Sequence, residues 1–172
     1  MTKFGDWAKN APLTSSYAEE RFNSLNSFVF VDGSGAEHAV RWSLLPAAQP
    51  VAVSPDELVK RGPDFLEQEI AQRVASEPQR WTMVVTIANP GDPTADPTVA
   101  WPFDRRSIEV GTLIAQHVQA ERDGPCRDIN FDPTVLPSGC GRPTTRFPRH
   151  VRPPTRGHTT CVLRRPRIIP EP

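Results

Sequence analysis

The chain has 172 residues with 20 basic and 20 acidic side chains, and 37% of its residues are hydrophobic. This length predicts a single domain. The sequence contains no run of about 18 apolar residues that could cross a membrane. Its start lacks the apolar segment of a secretory signal, and three cysteines do not make a disulfide framework. The compartment is therefore left open between the cytoplasm and the periplasm.

The net charge of zero hides a division of the chain at Gly139. From there to the end lie eight arginines, no lysine, seven prolines and one acid. The few apolar residues of this tail follow no period, so they bury too little surface to offset the entropy of ordering. We therefore expect an irregular or partly helical lead-in at 1–25, a folded domain at 26–139, and a disordered Arg/Pro-rich tail at 140–172.

The first clear element is a β-hairpin. Apolar residues alternate in 26–32 and again in 37–45, which is the period of half-buried strands. Between them, 32–35 (DGSG) supplies residues that tolerate the positive φ of tight turns. His38 shares a predicted strand face with Val40. A hydrogen-bonded, partly buried histidine is a more common finding there than a metal or haem ligand.

Two short helices follow the hairpin. Ser54 is a typical N-cap, Pro55 suits the first helical position, and Glu57 completes a capping box. This helix should extend to about Arg61, because Gly62-Pro63 interrupts the helical pattern.

The second helix is predicted to end near Ser76. Three apolar residues share one of its faces at i+4 spacing: Leu66, Ile70 and Val74. Glu69 and Arg73 have the same spacing, so they are placed to form a surface ion pair.

The remaining elements are two strands separated by a long loop. Alternation in 80–88 predicts a strand, and 89–102 is a loop with four prolines. Residues 107–118 read as another strand with Gly111 as a possible bulge, although a helix also fits their apolar pattern. His117 lies in this segment, and we expect it, like His38, to be a structural histidine and not a metal or haem ligand. The order of elements predicts an α+β domain with an antiparallel sheet and exposed strand edges.

Two sets of polar residues suggest acid–base catalysis or zinc binding, but their sequence context favours neither. Four carboxylates lie on predicted helix surfaces, where capping and solvation account for them: Asp56, Glu57, Glu67 and Glu69. Four possible zinc ligands lie in the tail: Cys140, His150, His158 and Cys161. Only the last two have the short spacing of zinc ligand pairs. We predict no catalytic carboxylate and no metal site.

Five strings, in this order and spacing, resemble the catalase superfamily, and most of all its smaller branch, the haem-dependent catalase-related peroxidases. They are NSFVFVDGSG (26–35), SPDELVKRGPDFL (54–66), ANPGDPTADPT (88–98) with AWP (100–102), SIEVGTL (107–113) and FDPTVLPSG (131–139). The resemblance implies the second half of an eight-stranded antiparallel barrel with two inserted helices. The barrel's first half would then precede Met1, so the chain is expected to be truncated at its N-terminus.

The resemblance also implies a chemistry. Family members hold haem b through a tyrosine phenolate that follows an arginine by four residues, and a distal histidine and asparagine act on the peroxide. The distal pair would lie in the missing first half, and the only tyrosine here is Tyr17. Two positions match residues near the haem in the family: Phe131 and Asn26. We therefore expect these two as remnants of a haem site, and we assign no catalytic residue.

The resemblance stops at Gly139, where the sequence changes to arginine, proline, threonine and cysteine. We interpret the tail as divergent or frame-shifted, because this composition is typical of a GC-rich gene read out of frame. A basic tail can also contact acidic partners non-specifically, but no nucleic-acid recognition motif is present. The sequence thus predicts the lineage of a peroxidase acting on organic peroxides or hydrogen peroxide, and an inactive fragment as written. The oligomeric state is not predicted.

Overall fold

The computed structural model describes residues 13–120, 127 and 136–141, which form an antiparallel sheet with two helices inserted between its third and fourth strands. The strands are β1 (Phe22–Asn23), β2 (Phe28–Val31), β3 (Glu37–Pro46), β4 (Gln79–Ile87), β5 (Ser107–Ala115) and β6 (Cys140–Gly141). The helices are α1 (Pro55–Arg61) and α2 (Phe65–Ser76), preceded by a 3-10 helix at Tyr17–Glu19. Neither α-helix is long and apolar enough to cross a membrane, within the part of the chain described.

The strand order is β5-β4-β3-β2-β6, and β1 also pairs with β3. The predicted order of hairpin, two helices and two strands is confirmed. The sheet also takes in β1, from the segment predicted as a lead-in, and β6, from the first residues of the predicted tail. The division into three segments itself stays a prediction, since 1–12 and 142–172 lie outside the described residues.

The hairpin turn forms as its residue types predict. The Asp32 carboxylate accepts hydrogen bonds from the Ser34 N–H at 2.9 Å, the Ser34 hydroxyl at 2.6 Å and the Ala36 N–H at 3.0 Å. Gly35 has a φ of 86°, a conformation in which a Cβ is disfavoured. The turn thereby sets the register in which Phe28 faces Val40.

The capping box of α1 is present in full. The Ser54 hydroxyl accepts from the Glu57 N–H at 3.3 Å, and the Glu57 carboxylate accepts from the Ser54 N–H at 3.2 Å. Gly62 ends the helix with a φ of 84°. Gly62 separates α1 from α2, and the boundaries of both helices agree with the sequence prediction.

The segment with the ambiguous pattern is a strand. β5 pairs with β4 along its whole length, and the register shifts between Met83 and Val84. Met83 faces Gly111 and Val84 faces Glu109, which leaves Val110 as the extra residue of a β-bulge beside the predicted glycine. β5 is the last strand on its side of the described sheet.

The core is small and lies where one face of the sheet meets α2 and the N-terminal segment. The buried hydrophobic residues are Ala18, Val40, Val53, Val74, Trp81 and Val85. The Trp81 indole donates to the Glu20 carbonyl at 3.3 Å, and its ring lies 6.4 Å from that of Phe22. This contact attaches the N-terminal segment to β4.

Candidate functional site

A cavity of about 470 Å³ opens on the polar face of the sheet, beneath the loop that leads into β5. Arg41, Thr86 and Ser107 stand side by side on three adjacent strands, because Thr86 is directly opposite each of the other two. Twelve residues line the cavity, and none of them is acidic: Arg21, Asn23, Ser24, Arg41, Trp42, Ser43, Thr86, Ala100, Trp101, Pro102, Phe103 and Ser107.

Arg41 lies between the sheet and the loop. Its Nη1 donates to the Val99 carbonyl at 3.0 Å, and its Nη2 donates to the Asp96 carbonyl at 3.1 Å. The guanidinium lies 4.6 Å from the centre of the Trp101 ring, a cation–π contact. Burial lowers the pKa of Arg41 and the nearby Asp96 charge opposes that shift, with a net lowering. The Nε–H of Arg41 is buried without an acceptor among the described residues.

Arg21 provides a second cation at the same cavity. Its Nε donates to the Asn23 side-chain oxygen at 3.0 Å, and its Nη2 donates to the Ser43 hydroxyl at 3.3 Å. The Ser43 hydroxyl in turn donates to the same Asn23 oxygen at 2.8 Å. Within the described ranges, no carboxylate lies within ion-pair distance of Arg21 or Arg41. Two arginines and no acidic residue thus line the cavity, and the charge of the nearby Asp96 acts on Arg41.

The loop above the cavity is held at several points. The Trp101 indole donates to the Pro93 carbonyl at 3.3 Å, and the buried Ser27 hydroxyl donates to the Thr94 carbonyl at 2.5 Å. Asp92 accepts from the Asn89 N–H at 2.7 Å and also binds Arg105. Hydrogen bonds, first from the Arg105 side chain and then from Asn89, lower the pKa of Asp92 to about 2 despite an opposing effect of burial.

A buried carboxylate stands apart from this cavity. Glu19 is 4% exposed and accepts from the Arg73 guanidinium at 3.0 Å, the Val51 N–H at 3.1 Å and the Ser15 hydroxyl at 3.1 Å. Burial raises the pKa of Glu19, but these hydrogen bonds and the Arg73 charge together lower it below its ordinary value. Arg73 also pairs with Glu69 at 2.5 Å, as predicted. Because every partner belongs to the framework of the fold, we assign this group a structural role.

The structure places one of the two predicted haem-site residues. Asn26 is half-buried in the turn between β1 and β2, and it does not line the cavity. Phe131 lies outside the described residues, so the assignment of these two positions to a haem site stays a prediction. His38 binds Asp32 at 2.9 Å, which agrees with the ordinary interpretation, and His117 is exposed on the residues after β5.

The cavity and its two arginines were not predicted from the sequence. Arg41 interrupts a strand of apolar residues, and Trp101 stands in a proline-rich loop. Those are weak signals, because only the folded chain shows that the two side chains meet.

The lining of the cavity does not fit an axially ligated haem. Haem iron takes histidine, cysteine, methionine or tyrosine as its protein ligand, and none of these types lines the cavity. Tyr17 is 46% exposed in the 3-10 helix. In the described ranges, no group of three or more His, Cys, Asp or Glu side chains could hold a metal. Of the four tail residues considered for zinc, only Cys140 is described, and burial raises the pKa of its thiol.

Comparison with known proteins identifies the lineage. No family model matches the chain. The catalase-related peroxidase of Synechococcus elongatus is 35% identical over 132 residues, which is 77% of this chain and 39% of that protein. The catalase-related peroxidase of Mycolicibacterium paratuberculosis is 32% identical over 127 residues, 74% of this chain and 40% of that protein. The chain belongs to the catalase superfamily.

Solved structures of the catalase superfamily share the fold. A fungal catalase matches with a TM-score of 0.66 at 15% identity, over 75% of this chain and 28% of that one. Catalase A from Saccharomyces cerevisiae matches with a TM-score of 0.65 at 17% identity, over 75% of this chain and 29% of that one. The predicted partial catalase-type sheet with two inserted helices is thus confirmed. The chain spans 39% and 40% of the lengths of the two peroxidases in the catalase superfamily that it matches.

Proposed function

We propose that this chain derives from a haem-dependent catalase-related peroxidase, which reduces organic peroxides or hydrogen peroxide with haem b. The observation that carries the proposal is the 35% identity to a catalase-related peroxidase over 77% of the chain. The structural likeness to catalases supports the same fold. Peroxide is accordingly the substrate we assign to the lineage.

We further propose that the polypeptide as it stands is inactive and binds no haem. In support, the only tyrosine of the sequence is Tyr17, which precedes the sheet and is 46% exposed. A haem-bound phenolate is a buried group that a neighbouring cation keeps ionised. The lining of the cavity offers neither an iron ligand nor an acid–base group that could act on a peroxide.

Visible absorption of the full chain, expressed with haem supplied, tests this proposal. We expect no stoichiometric Soret band and no peroxide-dependent dye oxidation, whereas the Synechococcus elongatus peroxidase, run in parallel, should show both. A Tyr17→Phe variant provides the matched control. One haem per chain would overturn the proposal that the chain binds no haem, and its loss in Tyr17→Phe would identify Tyr17 as the ligand. Peroxide turnover by the wild-type chain would overturn the inactive assignment.

A second candidate function rests on the charge division at Gly139. The eight arginines beyond it would bind acidic partners without specificity, through charge alone. All eight arginines lie outside the described part of the chain, which ends at Gly141. Gel retardation of DNA by the full chain, compared with a version ending at Gly141, tests it. The retardation should disappear on truncation and at high salt, and retardation that survives either change would contradict this candidate.

The frame-shift interpretation of the tail has an independent test. Translation of the source DNA beyond codon 139 in the other two frames should reveal an arginine followed four residues later by a tyrosine. If neither frame contains this motif, the frame-shift interpretation is wrong.

A further inference from the structure

We propose that residues 13–23, called the N-terminal strap, form an acid-sensitive switch that leaves its docked position while strands β2 to β5 stay folded. Glu19 is the residue that takes up the proton. This inference goes beyond the proposed peroxidase lineage, because it concerns the conformation of the described domain and involves no haem. Release of the strap removes one wall of the cavity.

The strap is attached to the rest of the domain at few points. At its start, the Val53 N–H donates to the Leu13 carbonyl at 3.0 Å. At its end, β1 pairs with β3 over two residues, and the Trp81 indole donates to the Glu20 carbonyl at 3.3 Å. Between these ends, the Glu19 side chain joins the strap to α2 and to the segment before α1. A segment with such short backbone pairing opens locally at a lower cost in free energy than the long strands β3 and β4.

Both oxygens of the Glu19 carboxylate accept hydrogen bonds. Oε1 accepts from Nη2 of Arg73, in α2, at 3.0 Å. Oε2 accepts from the Val51 N–H at 3.1 Å and from the Ser15 N–H at 3.3 Å. Protonation turns one of these oxygens into a hydroxyl, which weakens acceptance on the Arg73 side or on the Val51 side. In either case the attraction to the Arg73 charge is lost.

The charged groups beside Glu19 lie on the strap and on α2. Arg73 binds Glu19, and it also binds Glu69 at 2.5 Å. Glu20 is hydrogen-bonded to Thr14, within the strap itself. When Glu19 takes up a proton, Arg73 keeps Glu69 as its partner, so the cation is not left unpaired. Release of the strap therefore does not require α2 to unfold.

The other elements around Glu19 bring no charge to it. Residues 47–53 contain no charged side chain. The one charged residue of β4 is Arg80, which is exposed. Because side chains alternate along a strand, Arg80 lies on the opposite face of the sheet from the buried Trp81. The titration of Glu19 is thus set by the strap and α2.

The pH range of the switch follows from the direction of the Glu19 pKa. Burial raises this pKa, but the hydrogen bonds and the Arg73 charge together bring it below its ordinary value of 4.5. A carboxylate whose pKa is lowered in the folded state stabilises that state above its unfolded pKa, and this contribution is lost as the pH falls through the folded value. The strap should therefore stay docked near neutral pH and leave below about pH 4.

Release of the strap also changes the cavity. Arg21 and Asn23 line it from the strap, and both bind the Ser43 hydroxyl on β3. When the strap leaves, this wall leaves with it. Release also uncovers Trp81, which is 5% exposed and packs against Phe22 of β1. The cavity is therefore complete only while Glu19 is ionised.

Hydrogen–deuterium exchange of the full chain at about pH 6 and about pH 3 tests the proposal. Protection is measured relative to the intrinsic exchange rate at each pH. At the lower pH we expect the strap to lose protection by about tenfold or more, while β3 and β4 keep theirs. Asp92, whose pKa is about 2, is still largely ionised there and binds Arg105, so the loop above the cavity should also stay protected.

Two variants identify the residue that takes up the proton. Glu19→Gln should release the strap at about pH 6 and remove its pH dependence, because a neutral amide imitates the protonated carboxyl group. Glu20→Gln is the matched control, since it makes the same change at the next residue, whose carboxylate is hydrogen-bonded to Thr14 within the strap. This variant should leave the strap protected at about pH 6. The comparison of the wild type at two pH values depends on neither variant.

Three results would overturn the proposal. One is equal protection of the strap at both pH values. Another is a simultaneous loss of protection in the strap, β3 and β4 of the wild type at the lower pH, which would indicate unfolding of the whole domain. The third is equal release of the strap in Glu19→Gln and Glu20→Gln, which would show that Glu19 is not the residue that takes up the proton.

Discussion

The guanidinium of Arg105 donates two hydrogen bonds to the carboxylate of Asp92, from Nε to Oδ2 at 2.7 Å and from Nη2 to Oδ1 at 2.8 Å. Paired bonds of this kind fix orientation as well as distance. They join the two ends of the loop above the cavity, because Asp92 follows β4 and Arg105 precedes β5. The loop is thereby held over the polar face of the sheet.

The Asp92–Arg105 pair should make stability depend on pH in the acid range. The pKa of Asp92 is lowered to about 2 from an ordinary value of 3.8. Its stabilising contribution is therefore complete above about pH 4 and is lost as the pH falls towards 2. We expect Asp92→Asn to lower the melting temperature near neutral pH and to converge with the wild type near pH 2.

Thermal melts of both proteins between about pH 2 and pH 7 provide the measurement. Asp104→Asn is the control, because Asp104 also binds Arg105, at 2.8 Å, but its side chain is 66% exposed. This variant should leave the melting temperature and its pH dependence nearly unchanged. A constant gap between the wild type and Asp92→Asn over the whole range would contradict the linkage.

Replacement of Glu19 should destabilise the domain strongly. Its carboxylate is buried and joins three separate parts of the chain, through Ser15, Val51 and Arg73. Arg73 keeps Glu69 as a partner, so the cost arises from the weaker hydrogen bonds of a neutral side chain at this buried position, about 1–3 kcal/mol. We expect Glu19→Gln to lower the free energy of unfolding in urea by about that amount.

Glu67→Gln is the matched control for Glu19→Gln. Glu67 lies exposed in the first turn of α2, where its interaction with the helix dipole is worth only about 0.5 kcal/mol. If the two substitutions cost the same, the network around Glu19 does not stabilise the domain as the structure indicates.

The capping box of α1 should have a measurable but smaller effect. Ser54→Ala removes the hydroxyl that accepts from the Glu57 N–H, and loss of such a cap costs about 1 kcal/mol. Ser76→Ala, at the far end of α2, removes a serine that only donates to the Gln72 carbonyl. The urea midpoint should fall for Ser54→Ala and remain nearly constant for Ser76→Ala. The reverse order would show that the cap is unimportant here.

The outer strand β5 should promote self-association. Four of its apolar side chains are 38–51% exposed: Ile108, Val110, Leu113 and Ile114. In the described sheet β5 has no strand on its outer side, and charged residues on such edges oppose aggregation. We expect Leu113→Lys to reduce concentration-dependent light scattering.

Val59→Lys is the control for charge alone, because Val59 is 81% exposed on α1 and far from the strand edge in the chain. It adds the same positive charge as Leu113→Lys. Equal reduction of light scattering by both variants would attribute the effect to net charge and not to the edge.

The local elements could be predicted because their determinants lie within a few residues. The hairpin turn depends on Asp32 and Gly35, and the start of α1 depends on Ser54 and Glu57. Each of these interactions spans at most four residues, so residue type and spacing suffice to define it. The family resemblance then placed these elements in a partial catalase-type sheet.

The tertiary structure decided what the local pattern left open. A helix and a strand both fitted residues 107–118, and the strand forms because its residues pair with β4 along the full length. The contact of Arg73 with Glu19 crosses 54 positions of the chain, and those of Arg41 with Val99 and Asp96 cross more than 50. No period or motif encodes such distances. The haem-site assignment of Asn26 and Phe131 stays a prediction.

The sequence by itself thus determined the order of the elements, their turns and caps, and the family to which they belong. Only the folded chain brought Arg21 and Arg41 to one cavity that no acidic residue lines. The physical reason is that turns and caps depend on short-range backbone geometry, whereas a cavity and its charge depend on which distant strands and loops come together.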